Sequence, residues 1–424
     1  MKKILIYLFT LNALFVTSCT DAFDNISDAK KVEGISLTFN LSLDIEDLTS
    51  YEIILKLTNY DEGLEYSFPV TATSRTAGNK VTVTAADIVP GIYTAVLSGR
   101  GLTDDTAFEY MLSGSLVSQS MTKDGESFDI SISAGKKGTL IFKELYYAGV
   151  PSYYFRDQFY ELYNNSESVI YLDGICFANL APSTATSTPS VWPDEKDSHV
   201  YGARVWRFPG DGDDYPLQPG ESVVLAQHAI DHSAKNENSP VNLFDAEFEF
   251  YMGSTVYADM GAVNMEHVFN DGKAEIGGIQ FYLVSVFGSV YAIFRVPDDV
   301  EWDPVGDPNM STKDLSTSSS TLYAKIPVEY VIDAVECGNS ESYAKYKRLP
   351  GVLDAGMTWV DGIYCGYGIT RYIDTDEEGN PKKLSNGSYY YKDTNNSTDD
   401  FERKVVPVVR RNGAKMPSWN HTNN

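Results

Sequence analysis

The sequence predicts a mainly β protein, with an N-terminal β-sandwich followed by a larger β domain carrying irregular insertions and one short helix. Three observations carry this. Apolar and polar residues alternate with period two in short runs such as "ISLTFNLSL", Ile35 to Leu43, the pattern of a half-buried strand. Turn residues separate those runs at regular spacing, as in a sandwich. Tyr, which favours strands and also exposed binding surfaces, occurs 29 times in 424 residues.

The chain opens "MKKILIYLFTLNALFVTSCT". Lys2 and Lys3 precede an apolar stretch, Ile4 to Val16, that is too short to span a bilayer comfortably, so residues 1–18 read as a signal peptide. The run "VTSC" resembles the lipobox of bacterial lipoproteins, with Val16 where Leu is usual. That resemblance implies a lipid attached at Cys19 and an acylated outer-membrane lipoprotein. Several acyl chains, at ~0.8 kcal/mol per buried CH₂, anchor far better than one. Residues 19–33 are polar and read as a flexible tether. Asp21 and Asp24 resemble the surface-export signals of Bacteroidetes lipoproteins.

From Gly34 to about 135 the alternation continues through "YEIILKLTN" (Tyr51 to Asn59), "NKVTVTAADIVPGIYTAVLSGRG" (Asn79 to Gly101) and "SFDISIS" (Ser127 to Ser133). The stretch "VPGIYTAVLSG" resembles the prealbumin-like or carboxypeptidase-regulatory-like modules of secreted bacterial proteins, which implies a β-sandwich spacer. "AGKKG", Ala134 to Gly138, reads as a hinge.

Residues 139–410 form the second domain, and 411–424 a tail. "LIFKELYYAG", "FYELYNNSESVIYLDGICFANL" (Phe159 to Leu180) and "PLQPGESVVLAQHA" (Pro216 to Ala229) together resemble the lamin-tail domain, an Ig-like β-sandwich. The motif positions are Glu144, Glu161-Leu162-Tyr163-Asn164, Leu172-Asp173-Gly174 and Pro219-Gly220-Glu221. "GIQFYLVSVFGSVYAIFRV" (Gly278 to Val296) fits a following hairpin. In "PVEYVIDAVEC", Val328, Val331, Ile332 and Val335 fall at i, i+3, i+4 and i+7, which predicts an amphipathic helix. The closing segment "YYYKDTNNSTDDF" (Tyr389 to Phe401) resembles that of lamin-tail-like domains in Bacteroidetes. Over residues 34–410 the chain resembles an uncharacterised family of Bacteroidetes outer-membrane lipoproteins that join these two modules. The resemblance implies a fold and an outer-membrane, cell-surface location, and no reaction.

Apolar residues make up 43%, enough to bury a sizeable core. The formal net charge of −26 repels phosphate backbones and argues against nucleic acid as a partner. If Cys19 is lipidated, Cys176, Cys337 and Cys365 remain and allow at most one disulfide, for which Cys337–Cys365 is the best pair. The chain is long enough not to need it.

Candidate chemistry is sparse. In "QHAIDH", His228 and His232 stand four apart with Asp231 between, and on a helical turn both imidazoles could face one metal. A solvated loop is the simpler reading. Asp374, Asp376 and Glu378 alternate before Gly379 as in the first half of an EF-hand, but Ser385 occupies the twelfth position where Ca²⁺ wants a bidentate Glu. A hairpin turn therefore fits better. "GDGDDY" (Gly210 to Tyr215) could offer oxygens to Ca²⁺ or form an exposed loop. Lys345, Lys347 and Arg348 make the one basic patch, read as local charge balance. Trp192, Trp206 and Trp302 are candidate binding aromatics.

No GxSxG run or acid–base constellation is present, so the expectation is non-catalytic binding without a cofactor other than the lipid. The class of lipoprotein suggests a TonB-dependent outer-membrane transporter as partner in nutrient capture. A glycan- or protein-binding adhesin is the alternative, marked by clustered exposed aromatics. A metal-assisted hydrolase on His228 and His232 is a third reading.

Overall fold

The computed structural model describes residues 32–43, 48–72, 80–103, 109–136, 139–194, 197–253, 257–270, 272, 282 and 284–423. Cys19, the signal peptide, nearly all of the tether and the first half of the hairpin expected from Gly278 lie outside the described residues. The protein is mainly β, as expected.

Seven strands come first: β1 (Ile35–Leu43), β2 (Leu48–Asn59), β3 (Leu64–Ala72), β4 (Lys80–Ile88), β5 (Gly91–Thr103), β6 (Glu109–Met121) and β7 (Ser127–Lys136). They form one sheet in the order β3-β2-β5-β6-β7-β1-β4, with β1 and β7 parallel and the other neighbours antiparallel. The period-two residues point inward, as the pleat requires. Leu37, Phe39 and Leu41 of β1 and Ile53, Leu55 and Leu57 of β2 meet Ala95 and Leu97 of β5 in one core. The sheet curls over that core: Tyr66 of β3 accepts a hydrogen bond from the Val89 N–H beyond β4. Tyr93, next to the Pro-Gly turn, buries its ring and donates its hydroxyl to Val89 O at 2.7 Å.

The hinge expected at Ala134 to Gly138 is instead partly strand. Ala134, Gly135 and Lys136 pair with Leu112, Met111 and Tyr110 of β6. The two halves of the chain also touch. A 3-10 segment, Glu341–Tyr346, meets β6, where the Ser118 hydroxyl donates to Lys345 O at 2.7 Å. Lys345 Nζ lies 2.6 Å from Asp61. Gly351 passes so close that a Cβ there would stand 2.8 Å from Ser115 Oγ.

The second half is built on two facing sheets. In one, β8 (Leu140–Tyr146) and β9 (Phe159–Asn164) sit centrally, flanked by Ser222–Ala226 on one side and Gly368–Arg371, then Phe401–Val405, on the other. The other sheet centres on Cys176–Leu180 and Val290–Phe294, flanked by His199–Arg207 and Val331–Gly338. Phe142, Tyr160, Leu162 and Leu225 from the first sheet meet Phe177, Trp206, Tyr291 and Val335 from the second. The Tyr160 ring lies 4.7 Å from both Phe177 and Tyr291.

Both outer faces are covered as well. Tyr146, Phe159, Val224 and Ala226 pack under Ala229 and Leu243. Cys176, Ala178 and Leu180 pack with Ala334 and Leu349. For this reason β8, "LIFKELY", is buried at every position and shows no simple alternation.

That double burial explains a correction. The helix expected over Pro327 to Cys337 is a 3-10 turn, Val328–Tyr330, followed by the strand Val331–Gly338 paired antiparallel with Val290–Phe294. All four residues at the helical spacing are β-branched, which favours a strand. A strand apolar on both faces satisfies i, i+3, i+4 and i+7 by coincidence. Among the described residues the short α-helix is the single turn Ser397–Asp400, in the closing segment. Cys176, Cys337 and Cys365 are all free thiols, so the Cys337–Cys365 bridge does not form.

Many charges are buried. Burial pushes Asp333 and Asp400 up to about 7 each despite Arg371, with repulsion from Asp393 adding to the rise. Burial also raises Glu247 to about 7 and Asp157 to about 6. In the unfolded chain such groups lose their protons near ~4. Between that value and 6–7 the folded chain holds more protons, so stability falls as pH rises through this window. The melting temperature should therefore drop from pH 5 to pH 8 at constant ionic strength. A melting temperature that climbs over that range in scanning calorimetry would contradict this.

Candidate functional site

Strand register places four loops at one end of the first sheet. Tyr146, the last residue of β8, pairs with Phe159, the first of β9. Phe159 in turn pairs with Ala226, the last of its strand. Ala226 lies beside Glu249, and Leu145 beside Ile369. Segments 147–158, 227–232, 250–253 and 361–367 therefore leave from the same edge.

Two of these loops make an aromatic patch. Tyr153 is 78% exposed, and its ring meets Tyr364 edge-on at 5.1 Å. Phe155 also contacts Tyr364, at 6.4 Å. Ile363 and Tyr367, 38% and 41% exposed, belong to the same loop as Tyr364. The loops are fixed to each other by backbone: Tyr364 N–H donates to Ala148 O at 2.7 Å, and Gly366 N–H to Gly149 O at 2.9 Å. Gly149 has φ +67°, and a Cβ there would lie 2.5 Å from Tyr154 O. Tyr153 and Tyr364 also adopt left-handed backbone, φ +59° and +51°. Such a conformation costs an L-residue ~1–2 kcal/mol. Bulky residues rarely sit there, and strain of this kind concentrates at functional sites.

The alternate residues of the same loop serve a neighbouring cleft. Tyr154 OH lies 2.6 Å from His232 Nδ1, and His232 Nε2 lies 2.9 Å from His228 O. A carbonyl can only accept, so Nε2 carries the proton and Nδ1 accepts from Tyr154. Burial lowers the His232 pKa to about 4, keeping the ring neutral at physiological pH. Arg156 stacks its guanidinium over the Tyr257 ring at 4.3 Å, and His228 meets that ring at 5.4 Å. Arg156, Gln227, His228, Glu249 and Tyr257 line a narrow cleft of about 20 Å³, room for about one water.

The metal reading of His228, Asp231 and His232 finds no support in this geometry. Both His232 nitrogens are engaged by protein groups, and Asp231 turns back to accept from Ser233 Oγ and Ala234 N. Among the described residues no three His, Cys, Asp or Glu side chains are grouped to hold a metal ion. Asp374, Asp376 and Glu378 lie in a tight turn. Asp374 pairs with Lys382 at 2.9 Å, and Asp376 accepts from Asn380 N and Nδ2. In "GDGDDY" the loop is held by Asp173, which accepts from the N–H groups of Gly212, Asp214 and Tyr215.

The Trp residues brace strands. Trp206, expected on a binding surface, is fully buried between the sheets. Trp192 stacks flat on Tyr201 at 3.8 Å, and Trp302 donates Nε1–H to Lys325 O at 2.9 Å. The basic patch is absorbed internally, Lys345 by Asp61, and Lys347 and Arg348 by Glu336. Tyr153, Phe155, Arg156 and Tyr364 belong to none of the motifs singled out from the sequence. Their signal was available: "PSYYFRD" and "DGIYCGYG" set aromatics among turn formers, where loops expose them.

These features define a mainly β protein that presents an aromatic patch and a cleft on loops at one sandwich end. Residues 218–408 match a family described as a protein of unknown function, DUF4876. The crystal structure of a DUF4876 family protein from Bacteroides thetaiotaomicron VPI-5482 is similar to this chain, at 49% identity and a TM-score of 0.67, covering 92% of this chain and 100% of that one. The chain belongs to the DUF4876 family. A leucine-rich repeat protein of the same organism gives a match at 13% identity and a TM-score of 0.20, over 45% of this chain and 25% of that one. No curated protein matches.

Proposed function

We propose that this protein is a non-catalytic, glycan-binding module displayed on the outer membrane by a lipid on Cys19, with a lamin-tail-like domain as the binding unit and a prealbumin-like module beneath it. The observation that carries the reading is the patch in which the exposed Tyr153 meets the partly buried Tyr364 and Phe155 on backbone-locked loops, with the exposed Tyr367 in the same loop as Tyr364. Exposed aromatics held rigid offer apolar faces at low entropic cost, and clusters of them mark interaction sites. Sugar rings present C–H faces that stack on such surfaces. Handover of the captured glycan to a TonB-dependent transporter is part of the proposal; recovery of no transporter with the native protein from solubilised membranes would remove it.

One cell-based experiment tests display and binding together. Deletion-strain cells carrying the wild-type gene should bind members of a fluorescent glycan panel. Cys19→Ser should abolish surface display, read by antibody. Tyr153→Ala with Tyr364→Ala should keep display and lose binding at least about tenfold, as two stacking aromatics would imply. A panel with no binder at all would sink the glycan reading.

A further inference from the structure

We propose that a pocket at the opposite end of β9 from the aromatic patch is a second binding site, and that it takes one neutral sugar residue, a six-membered ring bearing hydroxyls. The site goes beyond the reading above and shares no residue with the patch.

Three segments build the pocket. Tyr163 of β9 and Tyr391 line it, their rings meeting edge-on at 4.9 Å. Register sets Tyr163 against Ile141 and Ser222, at the far ends of their strands from Tyr146 and Ala226. Two Asn-Gly turns complete the wall, Asn386-Gly387 and Asn412-Gly413. Gly387, Asn412 and Gly413 have φ +84°, +62° and +74°, the left-handed backbone that Gly and Asn adopt most readily. The walls are fixed to each other. Tyr163 donates its hydroxyl to Tyr389 O at 2.6 Å, Asn386 Nδ2 donates to Pro219 O at 2.6 Å, and Tyr391 N–H donates to Asn165 Oδ1 at 2.8 Å. Lys415 N–H donates to Gly220 O at 3.2 Å, and Ser222 N–H to Lys415 O at 2.8 Å. A pocket pinned in this way needs little ordering when a ligand enters.

Size sets the first limit. The pocket measures about 170 Å³ and is half open to solvent. A cavity of about 150 Å³ encloses a benzene ring. The pocket therefore takes one six-membered ring, whose substituents extend through the mouth. The cleft beside Arg156, at about 20 Å³, cannot.

The chemistry of the wall sets the second. No Asp or Glu lines the pocket. Two neighbouring carboxylates are engaged elsewhere: Glu167 accepts from Ser385 N–H, and Glu221 from Gln218 N–H. An amine or a metal ion thus finds no counter-charge. Lys415 is the single charged residue on the wall, and a net charge of −26 repels anions from the surface as a whole. A wholly apolar ring would strip water from the polar wall without replacing its hydrogen bonds. Among the described residues, Ser388 Oγ, Tyr389 OH and Lys415 Nζ make no hydrogen bond or ion pair with another protein group. Sugar hydroxyls both donate and accept, so they serve these groups and the Asn amides alike. The C–H face of the ring meets the Tyr side chains.

Saturation-transfer NMR on the full chain in detergent tests this, with the methyl glycosides of glucose, galactose, mannose and N-acetylglucosamine as probes and inorganic phosphate as the anionic comparison. At least one glycoside should bind with a Kd on the order of millimolar, as a ligand of that size allows. Asn412→Gly and Lys415→Ala should each weaken it at least about fivefold. Neither variant should disturb the fold: Gly adopts φ +62° without strain, and Lys415 is exposed without an ion pair. Melting curves matching wild type check that. Binding by none of the glycosides overturns the assignment. So does glycoside binding that survives both pocket variants and disappears with Tyr153→Ala and Tyr364→Ala, which would return it to the aromatic patch and leave the reading above standing. Phosphate that binds more tightly than every glycoside and is lost in Lys415→Ala would make the pocket an anion site and overturn it as well.

Discussion

Arg371→Met should cost about 3–5 kcal/mol, the usual consequence of removing one partner from a buried ion network. That is a large share of a typical folding stability of about 5–15 kcal/mol. Arg371 is 2% exposed and sits between the two sheets' closing elements. Its Nη2 donates to Asp333 at 2.9 Å, and its Nη1 to Asp393 and Asp400 at 3.1 and 3.4 Å. It also donates Nε–H to Phe142 O and Nη1–H to Lys392 O. Asp333 in turn accepts from Phe142 N, and Asp400 from Thr394. One guanidinium therefore ties β8, the strand Val331–Gly338, its own strand, the loop at 392–394 and the helical turn Ser397–Asp400.

The substitution leaves three buried carboxylates and no cation among them. Arg371→Lys should recover only part of the loss, because a point ammonium cannot serve the fork's separate acceptors. The defect should also shrink at pH 5, where Asp333 and Asp400, already raised to about 7, hold their protons in the fold. Urea unfolding at pH 8 and pH 5 measures all three. Equal midpoints for Arg371→Met and wild type at pH 8 would show that the network contributes nothing.

How much of this was legible beforehand depends on which faces are buried. β1 and β2 were plain in the sequence because each has one wet face and one dry face, which writes period two into Ile35 to Leu43 and Tyr51 to Asn59. β8 and the strand at Val331 are buried on both faces, so alternation vanishes. A buried strand then resembles a helix, and Val328, Val331, Ile332 and Val335 supplied that misreading. The buried charges were equally opaque. Lys143 and Glu161 look like surface residues in a strand, yet they face each other at 3.0 Å with both side chains fully buried. Their pairing is long-range information that no local window contains. The candidate site divides the same way. "QHAIDH" showed a spacing suited to a metal, but Tyr154, eighty residues upstream in round terms, occupies the ring nitrogen that a metal would need. Tyr153 and Tyr364 lie in separate loops, and only the register of β8, β9 and the strand at Gly368 brings them together.

Glu336 marks where the second half of the chain holds the first, and its removal should separate them. Its carboxylate is fully buried and takes Lys347 Nζ at 3.1 Å, Arg348 Nε at 3.2 Å, and the N–H groups of Arg348 and Leu349. Burial pushes its pKa up, but the two cations outweigh burial and hold it below the usual range. This contribution is therefore present at neutral pH and is lost only as pH falls below the ordinary carboxylate value. Glu336→Ala leaves two buried cations unpaired at a cost of about 3–5 kcal/mol. The same carboxylate anchors the segment Glu341 to Gly351, which carries the contacts of Lys345 and Gly351 with Asp61, Ser115 and Ser118. Once that anchor goes, the N-terminal sheet should melt apart from the rest. Calorimetry should resolve two transitions where wild type shows one, and protease should cut between residues 341 and 351. Lys345→Ala is the control: it removes only an exposed ion pair, screened by water, and should shift the melt little. A single transition and unchanged protease resistance in Glu336→Ala would mean the two halves are held by something other than this segment. The distinction bears on function, because a rigidly docked N-terminal sheet presents the aromatic loops at a fixed orientation, whereas a freely hinged one would let them sweep.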